Sequence, residues 1–159
     1  MAHIGRRIFL ILSVILLAAT NGSRWETRAD THSIEDAILA VNVEMTRAGE
    51  ALDADRLFSH MAETDKGSVI QNGELLATRA EALERVKRNL QGIGKIEYRW
   101  KRHYVTVLSP EVALLTAEGE SLVTRTDGDT FAAPFAQTVV FVLKPGGWKA
   151  VHAHQSSPR

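Results

Sequence analysis

The stretch IEYRWKRHYVTVLSPEVALLTAEGESLVTRT, residues 96–126, decides the fold because its apolar side chains recur at every second position. A period of two is typical of β-strands, and Pro110 between the two apolar runs fixes φ for a turn. The same period continues towards the end of the chain, interrupted at Asp127-Gly128-Asp129 and at Pro145-Gly146-Gly147. Four antiparallel strands are therefore predicted: Ile96–Leu108, Val112–Thr126, Phe131–Leu143 and Trp148–Ser156.

Upstream of these strands, the apolar residues have helical spacing. They fall three or four positions apart behind Ser33, the predicted N-cap, and Asp36, an acid in the first turn. The members of this stripe are Ile34, Ile38, Val41, Met45, Ala48 and Leu52. A short second helix is predicted over Asp55–Met61, with Asp53 or Asp55 as its cap.

A hairpin and a third helix complete the first half of the chain. Asn72-Gly73 between two short apolar runs favours a type I′ turn, which needs a positive φ at both positions. Thr78 and Glu81 have the spacing of a capping box, and the helix behind them ends at Gly92 or Gly94. The order of elements predicts an α+β fold with three N-terminal helices packed on one face of a bent antiparallel sheet.

The first 22 residues have the pattern of a signal peptide. Two arginines precede the apolar run Ile8–Thr20, which is shorter than the ~20 residues that span a bilayer and is followed by small residues. Residues 23–32 are polar and are interpreted as a linker to a domain that covers residues 33–157. The chain is therefore predicted to be exported, either periplasmic or secreted. An uncleaved N-terminal membrane anchor is the alternative.

The composition excludes several classes of function. The 159 residues carry 19 basic and 19 acidic side chains, so no net positive charge supports binding to nucleic acid. The chain has no cysteine, which excludes disulfides, thiol nucleophiles and Cys-ligated metal sites. Its length is that of one domain, and its 45% of apolar residues is typical of a folded protein.

Both faces of the predicted sheet are apolar at its centre. In the second strand Leu114 and Leu115 point to opposite faces, and Val139 and Val140 do the same in the third strand. Three helices can cover only one face, so we expect a second copy of the chain to cover the other. The sequence thus predicts a homodimer through the sheet. A strongly bent sheet that closes partly on itself is the alternative.

The last strand, GWKAVHAHQS at residues 147–156, resembles that of the nuclear-transport-factor-2-like superfamily. It is most similar to SnoaL-like domains and to the association domain of calcium/calmodulin-dependent protein kinase, where a G-x-W-x-x-V-H-x-H-x-S run closes the sheet. Residues 137–142 with the following Gly-rich turn, residues 52–55 and the Asn72-Gly73 hairpin also match. The resemblance implies a cone-shaped fold with a pocket between helices and sheet, commonly as a dimer.

The superfamily contains isomerases, polyketide cyclases, dehydratases, epoxide hydrolases, oligomerisation modules and binding proteins, so the resemblance implies no single activity. We predict an exported domain that binds a small apolar or amphipathic molecule in the pocket, or that serves in assembly. The alternative is a cofactor-free isomerase, cyclase or dehydratase that uses His and Glu side chains in the cone. A filled cone would favour assembly, and a deep pocket with an inward carboxylate or His would favour an enzyme.

The first candidate ligand-binding residues lie on the first two long strands. Trp100, Arg102 and Tyr104 are predicted to share one face, where aromatic rings around an arginine line an amphipathic pocket or grip an anion. The alternative is that Arg102 stacks on Trp100 or pairs with a surface acid. Glu118 and Glu120 share a face of the next strand, and burial there would raise their pKa towards that of a general base. Exposure at the strand end, or a salt bridge to Arg102, is the alternative.

The last strand supplies the remaining candidates. His152 and His154 are two positions apart and are predicted to share a face with Trp148 and Ala150, where they could act as a base or bind a metal. A hydrogen-bonded structural role is the alternative, and neither a metal nor a cofactor is predicted. Gln155 stands at a pocket position that the resemblance associates with an arginine in the kinase association domain, so Gln155 is a neutral candidate.

Overall fold

A computed structural model describes residues 24–158, which form one mixed α+β unit. The elements are α1 (Arg24–Glu50), α2 (Ala54–Ser59), β1 (Val69–Gln71), β2 (Glu74–Leu76), α3 (Arg79–Asn89), β3 (Ile93–Ser109), β4 (Val112–Arg125), β5 (Thr130–Lys144) and β6 (Gly147–Ser156). The predicted signal peptide lies outside the described residues. None of the described helices combines the length and the apolar character needed to cross a membrane.

The strands form a six-stranded sheet in the order β2-β1-β6-β5-β4-β3. The four predicted strands of the second half are present as β3 to β6, and each pairs antiparallel with its neighbour in the chain. The prediction of a purely antiparallel sheet is wrong at one place, where β1 pairs in parallel with β6. That pairing is possible because α3 and three long strands lie between β1 and β6 in the chain and provide the long crossover that parallel strands need.

Helix α1 begins at Arg24, well before the predicted cap at Ser33. The Ser33 hydroxyl donates a hydrogen bond to the Asp30 carbonyl at 2.8 Å, so it bonds back into the helix and does not cap it. The His32 ring lies 3.7 Å from the carboxylates of both Glu35 and Asp36 one turn later. Such polar contacts along one face support a helix that extends beyond its packed part. Residues 24–32 are therefore helical, and their interpretation as a linker stays a prediction.

The predicted caps of α2 and α3 and the hairpin turn are confirmed. The Asp53 carboxylate accepts a backbone N–H at 2.9 Å at the start of α2. Thr78 and Glu81 form a reciprocal capping box at the start of α3. Asn72 and Gly73 have φ values of 51° and 83°, as a type I′ turn requires. These local signals fix the starts of α2 and α3 and the turn of the β1–β2 hairpin.

The helices cover one face of the sheet, here called the inner face and marked by Ala113, Leu115, Val139 and Phe141. These four side chains are at most 3% exposed, and they pack with Ile38 of α1 and Phe58 of α2 in one core. The opposite face, here called the outer face, carries the alternate residues of the same strands, Leu114, Thr116, Val140 and Val142, which are half-buried. The sheet therefore has apolar residues on both faces, as the alternation predicts.

Candidate functional site

A β-bulge in β3 divides the candidate residues of that strand between the two faces. Trp100 pairs with Gly119 on the inner face, whereas Arg102 pairs with Glu118 on the outer face, because Lys101 is an extra residue without its own partner. One extra residue reverses the face of every side chain that follows it. The prediction that Trp100 and Arg102 share a face is therefore wrong. Tyr104 lies on the outer face with Arg102.

A second bulge does the same in β6. Ala150 pairs with Phe141, and His152 pairs with Val140, so Val151 is the extra residue. Trp148 and Ala150 consequently belong to the inner face, whereas both histidines belong to the outer face. This corrects the prediction that the four side chains share one face. After the bulge, Gln155 points inward, opposite Gln137 of β5.

The inner face and the helices enclose a cavity of about 550 Å³, here called the inner cavity. Three aromatic rings form its central wall. The Trp100 and Phe135 centroids are 5.3 Å apart with the rings at 90°, and Tyr98 meets Phe135 at 6.0 Å and 86°. Tyr98 and Trp100 lie nearly parallel, at 22° and 6.2 Å. Phe131, which is 43% exposed, also lines the cavity and marks one part of its opening.

The polar groups of the inner cavity are neutral. The Gln71 Nε2 donates to the Gln155 Oε1 at 2.7 Å, which joins β1 to β6 inside the cavity. The side-chain amides of Asn42 and Gln137 also line it, and the structure gives them no hydrogen-bond partner among the described residues. Within residues 24–158, the lining includes no Asp, Glu, Lys, Arg or His side chain.

Tyr98 is the titratable group of the described cavity lining. Its backbone N–H donates to the Glu50 carboxylate at 3.0 Å, and its ring packs against Gly49 of α1. Burial, reinforced by the negative charge of Glu50, raises the pKa of the Tyr98 phenol above its usual value. The phenol therefore stays protonated at neutral pH and offers a hydrogen-bond donor and acceptor without charge.

The charged candidates lie on the outer face and pair with one another. The Arg102 Nε donates to the Glu118 carboxylate at 2.9 Å, and this hydrogen bond holds the pKa of Glu118 below its usual range. The Arg99 Nη1 lies 3.7 Å from the Glu120 Oε1. The predicted alternative of a surface salt bridge to Arg102 is confirmed, and a carboxylate whose pKa is lowered is poorly suited to act as a base.

The other outer-face candidates have separate environments. The His152 Nδ1 lies 2.7 Å from the Gly67 carbonyl oxygen, which is the hydrogen-bonded structural role that the sequence offered as an alternative. An open groove of about 490 Å³ runs across this face, here called the outer groove. Its lining includes Arg102, Tyr104, Glu118 and His154. In the described part of the chain, no three His, Asp or Glu side chains come together in a way that could hold a metal ion.

The eight predicted ligand-binding residues therefore fall into three groups. Two line the inner cavity, Trp100 and Gln155; four line the outer groove, Arg102, Tyr104, Glu118 and His154; Glu120 and His152 line neither space. Their role in binding stays a prediction. The cavity also contains four residues that the sequence patterns do not predict there, Asn42, Gln71, Phe135 and Gln137. The inward position of Phe135 and Gln137 is predictable, because they lie four and two positions before the inward residue Val139 on the same strand.

The family model of the SnoaL-like domain matches residues 38–159, which is most of the sequence. The chain belongs to the SnoaL-like domain family. This confirms the resemblance that the last strand, the hairpin and the Leu52–Asp55 segment indicated. A comparison of the SnoaL-like domain with curated protein sequences gives no match.

Solved structures of the nuclear-transport-factor-2-like superfamily share its fold. A protein from Streptomyces avermitilis, proposed to be a dehydratase, has a TM-score of 0.71 at 21% identity, covering 81% of this chain and 99% of its own. A ketosteroid isomerase-like protein from Erwinia carotovora atroseptica has a TM-score of 0.65 at 17% identity, with coverages of 78% and 95%. A proposed calcium/calmodulin dependent protein kinase II association domain from Xanthomonas campestris has a TM-score of 0.67 at 16% identity, with coverages of 76% and 85%. At these identities the similarity shows the fold of the SnoaL-like domain and leaves its activity open.

Proposed function

We propose that this SnoaL-like domain binds a small apolar or amphipathic molecule in the inner cavity. The observation that carries the proposal is the cavity of about 550 Å³ between helices and sheet, with its aromatic wall. Sites for small molecules commonly enclose about 300–1,000 Å³ and combine an apolar lining with a few placed polar groups. A space filled by side chains between helices and sheet would have favoured a purely structural assembly role, whereas here that space is a cavity.

The chemistry of the lining favours binding over proton transfer. General acid–base catalysis uses groups such as His, Asp and Glu whose pKa can be brought near the working pH. The described lining of the inner cavity has none of these side chains. His152, His154, Glu118 and Glu120, which the enzymatic alternative required in the cone, all belong to the outer face.

The enzymatic alternative keeps one observation in its favour. The Tyr98 ring lines the cavity, and its phenol stays protonated because burial raises its pKa. A preorganised phenol can donate a hydrogen bond to an oxygen that gains negative charge during an isomerisation or a dehydration. Turnover that is lost in Tyr98→Phe while ligand binding persists would establish this alternative.

Filling the inner cavity is expected to weaken ligand binding. Ala133 of β5 lines the cavity, and Ala133→Phe would place an aromatic ring in that space. The affinity for N-phenyl-1-naphthylamine, a neutral fluorescent probe of apolar cavities, should fall at least about tenfold, since burying one aromatic ring contributes more than the ~1.4 kcal/mol that a factor of ten requires. The measurement is a fluorescence titration of each purified variant.

The adjacent residue supplies a matched control. Ala132 is exposed on the outer face of the same strand, where it pairs with Leu122. Ala132→Phe adds the same atoms outside the cavity and should bind the probe like the wild-type protein. Equal probe affinity in Ala133→Phe and Ala132→Phe, with both variants folded by circular dichroism, would contradict the proposed site.

We also propose that the domain forms a homodimer through the outer face. Leu114, Val140 and Val142 are apolar and half-buried there, and Tyr104 is 61% exposed beside them. A contiguous apolar surface of this kind marks an interaction site in soluble proteins. A two-fold pairing of identical faces would cover it, and an obligate interface of this type buries about 2,000 Å² or more.

Export is a further part of the proposal. The apolar run Ile8–Thr20 behind two arginines supports it, together with the small residues that follow. Mass spectrometry of the protein from its native cells should find a new N-terminus between residues 19 and 30. An intact chain that begins at Met1 and is recovered from the cytoplasm would contradict export.

A further inference from the structure

We infer that the inner cavity selects an uncharged, flat aromatic molecule that carries a carbonyl or hydroxyl group. This inference rests on the proposed binding function and adds the chemical class of the ligand. Three features of the cavity carry it: the absence of charge in its described lining, the angles between its aromatic rings, and the side-chain amides on β1, β5, β6 and α1, which keep free hydrogen-bonding capacity.

The absence of charge disfavours ionised ligands. A carboxylate or an ammonium group that entered the inner cavity would lose its hydration without meeting an opposite charge in the described lining. Among the described residues, two cations come close to this region. The Arg79 guanidinium donates to the carbonyl oxygen of the lining residue Phe58 at 2.8 and 2.9 Å and pairs with Glu63, and the Arg125 guanidinium lies 5.6 Å from the centroid of the Phe131 ring. Arg125 itself is exposed and does not line the cavity. The field of Arg125 is therefore screened by solvent at the opening.

The aromatic wall favours a flat ligand. Phe135 stands perpendicular to both Trp100 and Tyr98, while those two rings are nearly parallel at 22°. The cavity lining therefore offers aromatic rings in two nearly perpendicular orientations. A planar ring system can stack on the face of one ring while its edge meets the face of another, and both are favourable aromatic geometries.

The amide groups favour a neutral polar substituent on that ring. The Gln71–Gln155 hydrogen bond uses one donor of Gln71 and one acceptor of Gln155, so the Gln71 Oε1 and the Gln155 Nε2 remain available. The amides of Asn42 and Gln137 have no partner among the described residues. A carbonyl or hydroxyl oxygen would bond to such a set, whereas a purely apolar ligand would displace water from these amides without replacing its hydrogen bonds.

Three naphthalene derivatives of nearly equal size test the charge of the ligand. 2-Acetylnaphthalene is neutral and carries a carbonyl, 2-naphthoate is an anion, and 2-naphthylmethylamine is a cation at neutral pH. Titration calorimetry of the full mature chain should give an affinity for the ketone at least about 100-fold above that for either ion, because each ion must be desolvated without a counter-charge. Unsubstituted naphthalene, measured by Trp fluorescence, provides the apolar reference.

Substitution of one amide tests the polar contact. Gln155→Leu keeps most of the side-chain volume, so the affinity for 2-acetylnaphthalene should fall about tenfold while that for naphthalene stays the same. Gln91→Leu is the matched control, since Gln91 is exposed after α3 and does not line the cavity. Gln137→Leu repeats the test on a different strand if Gln155→Leu does not fold.

The outcomes separate the inference from the proposed function. Binding of 2-naphthoate as tight as that of the ketone would overturn the inference and leave the proposed function intact, and its loss in Arg125→Gln would identify the cation responsible. Equal ketone affinity in Gln155→Leu, Gln137→Leu and the wild-type protein would overturn the role of the amides. If none of the four compounds binds, the proposed function fails and the inference fails with it.

Discussion

Replacement of Gly119 by alanine is expected to lower the free energy of unfolding by about 3 kcal/mol, the upper end of the usual cost of overpacking. A Cβ at this position would lie 2.6 Å from the Arg99 carbonyl oxygen and 3.2 Å from the Phe135 Cζ. The oxygen is part of the β3 backbone immediately before the bulge, so it cannot move without displacing Trp100. The loss therefore comes from the strand pairing and from the aromatic wall together.

A second glycine on the neighbouring strand provides the control for this substitution. A Cβ on Gly94 would meet the carbonyl oxygens of Thr124 and Arg125 at 3.5 Å, which is ordinary van der Waals contact. Gly94→Ala should therefore leave the free energy of unfolding unchanged, or raise it by about 0.4–1 kcal/mol because alanine lowers the conformational entropy of the unfolded chain. Chemical denaturation of both variants measures the difference. Equal midpoints for Gly119→Ala and Gly94→Ala would refute the proposed tight packing at the bulge.

A charge placed at Val140 is expected to convert the proposed dimer into a folded monomer. Val140 lies on the outer face opposite Leu114, at the centre of the surface assigned to the second copy. In a two-fold interface each substitution appears twice, so two unpaired carboxylates would be buried in Val140→Glu. The dimer dissociation constant should rise by at least about 1,000-fold, which corresponds to ~4 kcal/mol. Light scattering coupled to size-exclusion chromatography measures the change in mass.

The neighbouring inner-face residue distinguishes loss of the dimer from loss of the fold. Val139 is 3% exposed in the core, so Val139→Glu should abolish folding, whereas Val140→Glu should keep the circular dichroism of the wild-type protein. Val142→Glu, on the same face as Val140, should also give a monomer. A wild-type protein that is monomeric at micromolar concentration would show that the outer face needs no second copy.

The fold could be predicted from the sequence because its signals are local. A capping box at Thr78 and Glu81 depends on two residues in one turn, and the Asn72-Gly73 turn depends on two adjacent φ values. The strands β3 to β6 follow from a period of two that continues over many residues. The parallel pairing of β1 with β6 could not be predicted in this way, because it depends on two segments far apart in the chain.

The candidate site could be predicted only in part, because the assignment of faces fails at a bulge. Lys101 and Val151 each add one residue to a strand without changing its apolar and polar pattern in a way that identifies the insertion. If the faces of a strand are assigned by strict alternation, every residue that follows such an insertion is assigned to the wrong face. Counting across Lys101 therefore puts Trp100 on one face with Arg102, and counting across Val151 puts the histidines on one face with Trp148. The amide side chains in the inner cavity could not be predicted, because Gln and Asn residues are mostly exposed in folded proteins.

The position of β6 has a consequence for the order in which the protein can fold during synthesis. Among the described strands β6 is the last to be synthesised, yet both β1 and β5 pair with it. The β1–β2 hairpin is made early and has no sheet to join until residues 147–156 arrive, and the contact of Gln71 with Gln155 joins residues that are 84 positions apart. The described domain thus lacks a complete core until residues 147–156 have been synthesised, and this delay would suit the proposed export, since a polypeptide that crosses a membrane unfolded must not complete its core early.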